Sequence, residues 1–202
     1  MAHPGWAIGY GDEVWWSRFE QPNLHSWVET DQHLRLLEQV KGKTDPDPKA
    51  LACYGLLLRG WLQESQAHEK ALLRFVDGRP VSAISIQFLE WACQKIADLR
   101  LRVLVLVWDN ASWHVSRMVR TWIHEHNRQV KKTGQGIRFL LCYLPTKSPW
   151  LNPIEPKWMH GKRKILEPER TLSAQEVAER VCAVFGCAHE PHLALPVPEN
   201  VP

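Results

Sequence analysis

The stretch LRVLVLVW at residues 101–108 contains the longest strongly apolar run of the chain, and Asp109 follows it directly. Its apolar residues fall on both alternating faces, which predicts a central strand covered on both sides. IRFLLCYL at 137–144, ended by Pro145, predicts a second buried strand. Between the two, the apolar residues of segment 115–130 recur at helical spacing. This succession of strand, helix and strand indicates an α/β fold.

Upstream of this stretch, four segments have the length and composition of strands. They are residues 6–12, 14–19, 51–58 and 68–76, the last of which also fits a helix. We expect the first two to be separated by a break near Gly11. Residues 20–49 are polar and contain a DPDP turn, so they predict a loop with a short helix around residues 32–40.

Three more segments predict helices. Apolar residues at helical spacing predict one over residues 84–96. Another is expected to begin between Asn152 and Pro156, because asparagine caps helices well and proline is tolerated in a first turn. Its apolar stripe consists of Ile154, Trp158 and Ile165. Ser173 and Glu176 form a capping box for the last helix. Early strands followed by alternating strands and helices predict a mixed sheet flanked by helices.

Length and composition are those of one globular domain. The chain has 202 residues, of which 45% are hydrophobic and 23% are charged, and this excludes wholesale disorder and fibrous proteins. We expect a single domain over residues 1–190. Residues 191–202 hold four prolines and are expected to form a flexible tail.

Targeting and redox signals favour a cytoplasmic protein. The apolar run at 103–108 is too short to cross a bilayer, so no membrane partner is expected. Asp12 and Glu13 interrupt the N-terminal region where a signal peptide needs an apolar stretch. The five cysteines are an odd number scattered through apolar segments, which is typical of reduced thiols in the cytoplasm.

Charge is unevenly distributed along the chain. The net charge is +3, but residues 110–170 hold twelve Lys and Arg against four Asp and Glu. A basic segment of this kind suits a polyphosphate ligand such as DNA. A solvated helix face would have the same composition, so charge alone leaves both interpretations open.

Three carboxylates stand where the pattern ends a strand or begins a helix. Asp12 ends the first strand, Asp109 follows the most apolar strand, and Glu155 lies in the first turn of the helix after the next one. Functional groups collect at such points in open α/β sheets. Three carboxylates brought together would repel one another unless a divalent cation neutralised them, and oxygen ligands suit Mg²⁺ or Mn²⁺. Two such ions can activate a water and stabilise the departing oxygen of a phosphodiester.

Each acid also has a structural interpretation. Asp12 could be a turn residue beside Gly11, and Asp109 could cap the helix that starts near Ser112. Glu155 could simply favour the positive end of its helix dipole. Their joint occurrence beside a basic half-chain favours the metal site.

The segments around the last two acids are more specific than the acids themselves. VWDNASWH at 107–114 and YLPTKSPWLNPIEPKW at 143–158 resemble the catalytic region of the mariner-like DDE transposases of bacterial insertion sequences. In that family a D-N-x-x-x-H segment supplies the second acid, here Asp109. A P-x-x-S-P-x-L-N-P-I-E-x-x-W segment supplies the third, here Glu155. The first acid lies in an early strand, often in an Asp-Glu pair, so the resemblance assigns it to Asp12, with Glu13 as the lesser candidate.

The resemblance implies an RNase H-like fold of the retroviral integrase type and a reaction that uses two Mg²⁺ or Mn²⁺ ions. One DNA strand is cut at the transposon end, and the freed 3′-hydroxyl then attacks target DNA. It also implies a homodimer on paired ends of double-stranded DNA, associated with the nucleoid. A separate N-terminal helix-turn-helix half is expected to recognise the ends.

Further residues are candidates for supporting roles. Asn110 and His114 follow the second acid closely enough to orient it or to touch a phosphate. Asn152 is expected to cap the helix of Glu155, and Trp158 to be a core residue. The candidate contacts to the DNA backbone are Lys147, Lys157, Lys162, Arg163 and Lys164.

Alternative functions remain open from sequence. A catalytically silent transposase remnant would keep the fold and act only as a DNA-binding or interaction module. A general RNase H-like nuclease would cleave DNA without joining it. Separately, Cys182, Cys187, His189 and His192 have a spacing that could hold zinc, although a structural role is the simpler interpretation.

Overall fold

The computed structural model describes residues 5–19, 41–60, 69–97, 99–165 and 170–195. In chain order its elements are β1 (Trp6–Ser17), β2 (Ala50–Gly60), β3 (Glu69–Val76), α1 (Ser82–Ala97), β4 (Val103–Trp108), α2 (Arg117–Thr133), β5 (Arg138–Tyr143), α3 (Glu155–Ile165) and α4 (Ala174–Phe185). A short 3-10 helix, Pro149–Leu151, precedes α3. None of the described helices is long and apolar enough to span a membrane. The short helix predicted around residues 32–40 lies outside the described residues.

The described strands form one mixed sheet in the order β3-β2-β1-β4-β5. β1 and β2 are antiparallel, as are β2 and β3, whereas β4 is parallel to both β1 and β5. This confirms the predicted mixed sheet of an α/β fold. Residues 68–76, whose sequence also fits a helix, contain strand β3. The central strand of the sheet is β1, and β4 lies next to it.

β1 is one continuous strand, not the two short strands expected on either side of Gly11. Its pairing with β2 runs without interruption from Ala7 opposite Gly60 to Ser17 opposite Ala50. A Cβ at position 11 would lie 3.1 Å from Nε1 of Trp108, whose indole packs against the backbone there. Glycine at this position therefore allows close packing inside the sheet and makes no turn.

β5 is half-exposed, which corrects the prediction of a buried strand over residues 137–144. Phe139 is buried against Trp122 and His126 of α2, whereas the next residue, Leu140, is 37% exposed. The strand lies at the edge of the sheet, and α2 covers only one of its faces. An apolar sequence alone cannot report that a strand is at an edge.

Two hydrophobic cores lie on opposite faces of the sheet. Alternate residues of β2 divide between them, with Leu56 on the side of α1 and α2 and Leu57 on the side of α3 and α4. The predicted stripe of α3 is confirmed, since Ile154, Trp158 and Ile165 are all buried. The capping box of Ser173 and Glu176 starts α4, as predicted.

The chain remains packed beyond residue 190, where the domain was expected to end. Leu193 is buried and forms a parallel bridge with Val76. Its backbone N–H donates to the carbonyl of Phe75 and its carbonyl accepts from the N–H of Asp77, both at 2.8 Å. The packed region therefore reaches at least Leu193, and residues 196–202 of the expected tail lie outside the described part of the chain.

Candidate active site

Three acidic side chains from separate elements line one cavity of about 300 Å³. Asp12 lies in β1, Asp109 follows β4, and Glu155 is the first residue of α3. β1 and β4 are parallel neighbours in which Tyr10 stands beside Val107, so Asp12 and Asp109 each lie two residues past the same point of register. Parallel pairing therefore brings these two acids to the same end of the sheet.

Asp12 is held by the core tryptophan of α3. Nε1 of Trp158 donates a hydrogen bond of 2.8 Å to Oδ2 of Asp12. Burial raises the pKa of Asp12 to about 7, and the nearby charge of Glu155 adds to this, while the Trp158 hydrogen bond opposes it. The cavity therefore disfavours the ionised form of this acid in the absence of a cation.

Trp158 reaches Asp12 because the neighbouring strand has a glycine at the right point. Gly55 is the register partner of Asp12 in β2. A Cβ at position 55 would overlap the six-membered ring of Trp158. The absence of a side chain on Gly55 thus makes room for the indole that donates to the first acid.

Asp109 is tied to Glu13 through a buried histidine. Nδ1 of His114 lies 2.6 Å from Oδ1 of Asp109, and Nε2 lies 2.7 Å from Oε1 of Glu13. The imidazole has no exposed surface and stacks on Trp108 with 3.7 Å between ring centres. Nε1 of Trp113 donates to the other oxygen of Glu13 at 3.2 Å. His114 is thus a clamp between two carboxylates. One is Glu13, the neighbour of the first acid, and the other is the second acid, Asp109.

The electrostatics of this clamp favour a charged histidine. Burial disfavours the imidazolium, but the hydrogen bonds to Asp109 and Glu13 outweigh it and raise the pKa of His114. The same hydrogen bond lowers the pKa of Asp109. With a carboxylate at each ring nitrogen, both nitrogens can donate at once only when the ring is protonated.

Glu155 carries the third carboxylate of the cavity. Burial raises its pKa and Asp109 adds to the increase, while the positive charge of Lys162 lowers it. Glu155 thus raises the pKa of Asp12, Asp109 raises that of Glu155, and each interaction is a repulsion between carboxylates that share the cavity.

Two asparagines fix the surrounding backbone. Nδ2 of Asn152 donates to the carbonyl of Gly11 at 3.0 Å, and its Oδ1 accepts from the N–H of Ile154 at 3.4 Å. Asn152 therefore forms a turn before α3 and does not make the predicted cap on the helix itself, and it ties this segment to β1 next to Asp12. Nδ2 of Asn110 donates to the carbonyl of Leu144 at 2.6 Å, which joins the two loops of the cavity wall.

The five predicted DNA-backbone contacts are not on one surface. Lys147 lines the acidic cavity and Lys162 lies near enough to Glu155 to affect its pKa. Lys157 instead forms an ion pair with Glu69, and it lines a second cavity together with Lys164. Arg163 is an exposed residue of α3. Four of these residues lie on α3, and their positions in the sequence alone did not show that the side chains point in different directions around this short helix.

No three His, Cys, Asp or Glu side chains of the described residues are grouped closely enough to hold a metal ion between them. The three acids therefore share a cavity without converging on a single point in it. The segment with Cys182, Cys187, His189 and His192 also forms no such group. Nε2 of His189 lies 3.3 Å from Nε2 of His192, and Nδ1 of His192 lies 2.7 Å from Oδ1 of Asp77. A four-ligand zinc site is not formed there.

Comparison with solved structures assigns the fold. The Mos1 transposase paired-end complex with the left transposon end matches with a TM-score of 0.60 at 16% identity, over 90% of this chain and 48% of that chain. The Mos1 strand transfer complex gives a TM-score of 0.60 at 16% identity, over 90% and 47%. The Mos1 mariner paired-end complex with Mn gives 0.56 at 16% identity, over 90% and 48%. The chain thus spans about half the length of these proteins, and no curated protein sequence matches it.

The sheet order, the flanking helices and these matches define an RNase H-like fold of the kind found in transposases. The family profile described as DDE superfamily endonuclease matches residues 24–177. The chain belongs to this DDE superfamily endonuclease family. The matched residues include Asp109 and Glu155 and begin after Asp12.

Sequence reasoning found His114 and Asn152 but missed other residues that position the acids. Trp158 was expected to be a core residue only, and it is both buried and the hydrogen-bond donor to Asp12. Gly55 and Trp113 were not singled out at all. One sequence signal could have revealed the role of Trp158. It lies three residues after Glu155, and a helix brings residues at this spacing together within one turn.

Proposed function

We propose that this chain is the catalytic domain of a transposase, which cuts a DNA strand at transposon ends and joins the freed 3′-hydroxyl to target DNA with two divalent metal ions. The observation that carries the proposal is that Asp12, Asp109 and Glu155, from three separate elements, line one cavity. Membership of the DDE superfamily endonuclease family supports it. The Mos1 complexes that share the fold, with a transposon end, after strand transfer and with Mn, support it further.

The donor chemistry of the cavity fits Mg²⁺ or Mn²⁺. Its three acids offer hard oxygen ligands, which these ions prefer over sulfur or imidazole. Burial and mutual repulsion raise the pKa values of Asp12 and Glu155, and a bound cation would relieve both effects. Asp12, Asp109 and Glu155 are therefore the residues that would hold the ions.

When bound there, divalent cations supply Lewis acidity at phosphorus and a water of lowered pKa. The chain itself provides orientation. Trp158 holds one oxygen of Asp12, and His114 holds one oxygen of Asp109, so both side chains are fixed where they line the cavity. Asn152 sets the position of α3 against β1, and thereby that of Glu155. Glu13 serves as the partner of His114, which favours Asp12 as the first acid.

DNA would approach over the rim of the cavity that carries Lys147. This residue lines the cavity, and Lys162 lies close to its third acid. Lysines so placed can neutralise phosphates on either side of the bond that is cut. Arg163 is exposed on the same helix, whereas Lys164 lines the second cavity and Lys157 is paired with Glu69.

The assembly proposed for this domain follows the Mos1 paired-end complexes. A homodimer on double-stranded DNA would place one catalytic cavity at each of two transposon ends. A helix-turn-helix half would recognise the terminal repeats, and the protein would work at the nucleoid in the cytoplasm. Recognition of a specific end sequence is not expected from this domain alone.

A nicking assay on supercoiled plasmid tests the proposal. Wild-type protein is expected to convert the plasmid to nicked circles with Mg²⁺ or Mn²⁺ and not with EDTA, and Asp109→Ala is expected to abolish this. Asp77→Ala is the matched control, because Asp77 is an exposed acid paired with His192 outside the cavity. Nicking that survives Asp109→Ala would overturn the site.

The same assay separates the two alternative functions. A silent remnant would bind the plasmid and leave it uncut with either metal. A general nuclease would cut it but fail to join an oligonucleotide with a free 3′-hydroxyl to a second plasmid. Joined product, lost in Asp109→Ala and kept in Asp77→Ala, is the outcome that the transposase proposal requires.

A further inference from the structure

The most exposed large apolar side chain of the described residues stands at the rim of the acidic cavity. Trp150 is 73% exposed, and it directly follows Ser148 and Pro149, which line the cavity. Leaving an indole in water is unfavourable, since a buried aromatic side chain contributes a large apolar area to stability. The contacts that hold the acids make no use of Trp150.

The segment that presents Trp150 is anchored at both ends. The N–H of Leu144 donates to the carbonyl of Trp108 at 2.8 Å, and Asn110 holds the carbonyl of Leu144. At the other end, the N–H of Asn152 donates to the carbonyl of Pro149 at 2.8 Å while its side chain is fixed to β1. Trp150 thus lies on a short 3-10 helix whose segment is held by hydrogen bonds at both ends. These bonds fix its position relative to the acids of the cavity.

The backbone and charge around Trp150 suit a nucleic acid. Lys147 has a φ of 58°, a left-handed conformation that is strained for a residue with a side chain and is found preferentially at functional sites. Lys147 lines the cavity, and the exposed Trp150 follows it three residues later in the same segment. A cation that takes a phosphate beside an aromatic ring that takes a base is the combination by which proteins hold single-stranded nucleic acids.

We propose that Trp150 stacks on an unpaired nucleobase next to the phosphate held at the acidic cavity. This rests on the proposed function, since it takes DNA as the ligand of the cavity. A protein partner fits less well, because the exposed large apolar side chains of this segment are Trp150 and Leu151, with the polar Ser148 and Lys147 before them. Base stacking on an aromatic side chain is independent of base identity, so the site requires no particular sequence.

Binding of two labelled oligonucleotides tests this. One is a 15-nucleotide oligo-dT, and the other has the same phosphates but abasic sugars throughout. Affinities are measured by fluorescence anisotropy with Ca²⁺ in the buffer. Wild-type protein is expected to prefer oligo-dT about fivefold or more, which is the lower end of stacking contributions. Trp150→Ala is expected to lose that preference with unchanged affinity for the abasic strand, and Trp150→Phe to keep most of it.

Two controls separate stacking from charge and from general surface effects. Met159→Ala removes another exposed apolar side chain, one that does not line the cavity, and should retain the preference. Lys147→Ala should weaken both oligonucleotides equally and reduce the dependence of log Kd on log salt concentration by about 0.7.

Several outcomes would overturn the inference. They are equal binding of the two oligonucleotides by the wild type, a preference that survives Trp150→Ala, and self-association without DNA that Trp150→Ala abolishes. The last would assign Trp150 to a protein interface. Each is distinct from a failure of the proposed function, which would appear as absent metal-dependent nicking whatever the oligonucleotide preference.

Discussion

Nε1 of Trp158 lies 2.8 Å from Oδ2 of Asp12, so one buried side chain both fills the core beneath α3 and holds the first acid of the cavity. The ring also packs edge-on against Trp16, with 5.9 Å between ring centres. Packing on one side and hydrogen bonding on the other fix the indole. The position of Asp12 is therefore coupled to the packing of the α3–α4 core.

Trp158→Phe is expected to raise the Mg²⁺ concentration needed for half-maximal nicking by roughly tenfold. The variant keeps an aromatic ring in the core and removes the N–H donor to a carboxylate, a hydrogen bond of about 1.5–3 kcal/mol. Loss of the donor raises the pKa of Asp12 further, so a proton competes better with the cation. Metal titrations of nicking at fixed pH, with circular dichroism to verify folding, measure this.

Trp16→Phe is the matched control for that experiment. Trp16 is equally buried in the same core, but its Nε1 makes no hydrogen bond within the described part of the chain. The substitution should leave the metal dependence of nicking unchanged. An equal shift in both variants would mean that core packing, and not the hydrogen bond, controls Asp12.

Gly55→Ala is expected to destabilise the protein by about 1–3 kcal/mol and to reduce nicking. The new methyl group would overlap the ring of Trp158, and overpacking of a core costs this much. Displacing Trp158 also removes the donor to Asp12. Chemical denaturation and the nicking assay test both effects together. Gly42→Ala should change neither, since a Cβ at that exposed position meets no atom within 4 Å.

Asp12→Asn is expected to stabilise the metal-free protein at pH 8 by roughly 2 kcal/mol. This is less than the full free energy that corresponds to the raised pKa of Asp12. The pKa of Asp12 is raised from 3.8 to about 7, so the folded protein holds an extra proton between these values. Stability from this group therefore falls as the pH rises from about 4 to about 7, and the whole penalty is present above that.

Thermal melts at two pH values test this sign. The variant should melt at a higher temperature than the wild type at pH 8, and the difference should disappear near pH 4. Mg²⁺ should raise the melting temperature of the wild type and not that of Asp12→Asn. A gain in the variant that is the same at both pH values would show that its cause is not the charge of Asp12.

His114→Ala is expected to cost about 3 kcal/mol of stability and to abolish nicking. It removes the shared partner of Glu13 and Asp109, and breaking a buried ion pair leaves a carboxylate uncompensated. Because the folded-state pKa of His114 is raised, its contribution is complete below the unfolded pKa and is lost as the pH rises through the folded value.

Denaturation of wild type and variant across pH measures that contribution, and the difference between them should narrow in alkali. Trp113→Phe is the comparison, because it removes a single donor to Glu13 and should cost only about 1 kcal/mol. A loss in Trp113→Phe as large as that in His114→Ala would contradict the clamp between Glu13 and Asp109.

Sequence patterns predicted most elements because their signals are local. The run at 103–108 became β4, and the apolar stripe with the Ser173 capping box produced α3 and α4. Predictions failed where distant packing decides. Gly11 resembled a strand break, but the indole of Trp108 fills the space of its side chain and the strand continues. The apolar β5 resembled an interior strand, but it lies at an edge of the sheet.

By itself, the sequence determined which acids are candidates, because Asp109 follows an apolar strand and Glu155 begins a helix, which are relations between neighbours along the chain, and because the resemblance places a first acid in an early strand, where Asp12 lies. It also determined the family, because segments 107–114 and 143–158 match the motifs of the family at many positions with the same spacing. Only the tertiary structure decided that Trp158 holds Asp12, that His114 also reaches Glu13 and that Lys157 turns away to Glu69. These partners are far apart along the chain, and the pairing of β1 with β2 and β4 is what brings them within hydrogen-bonding distance.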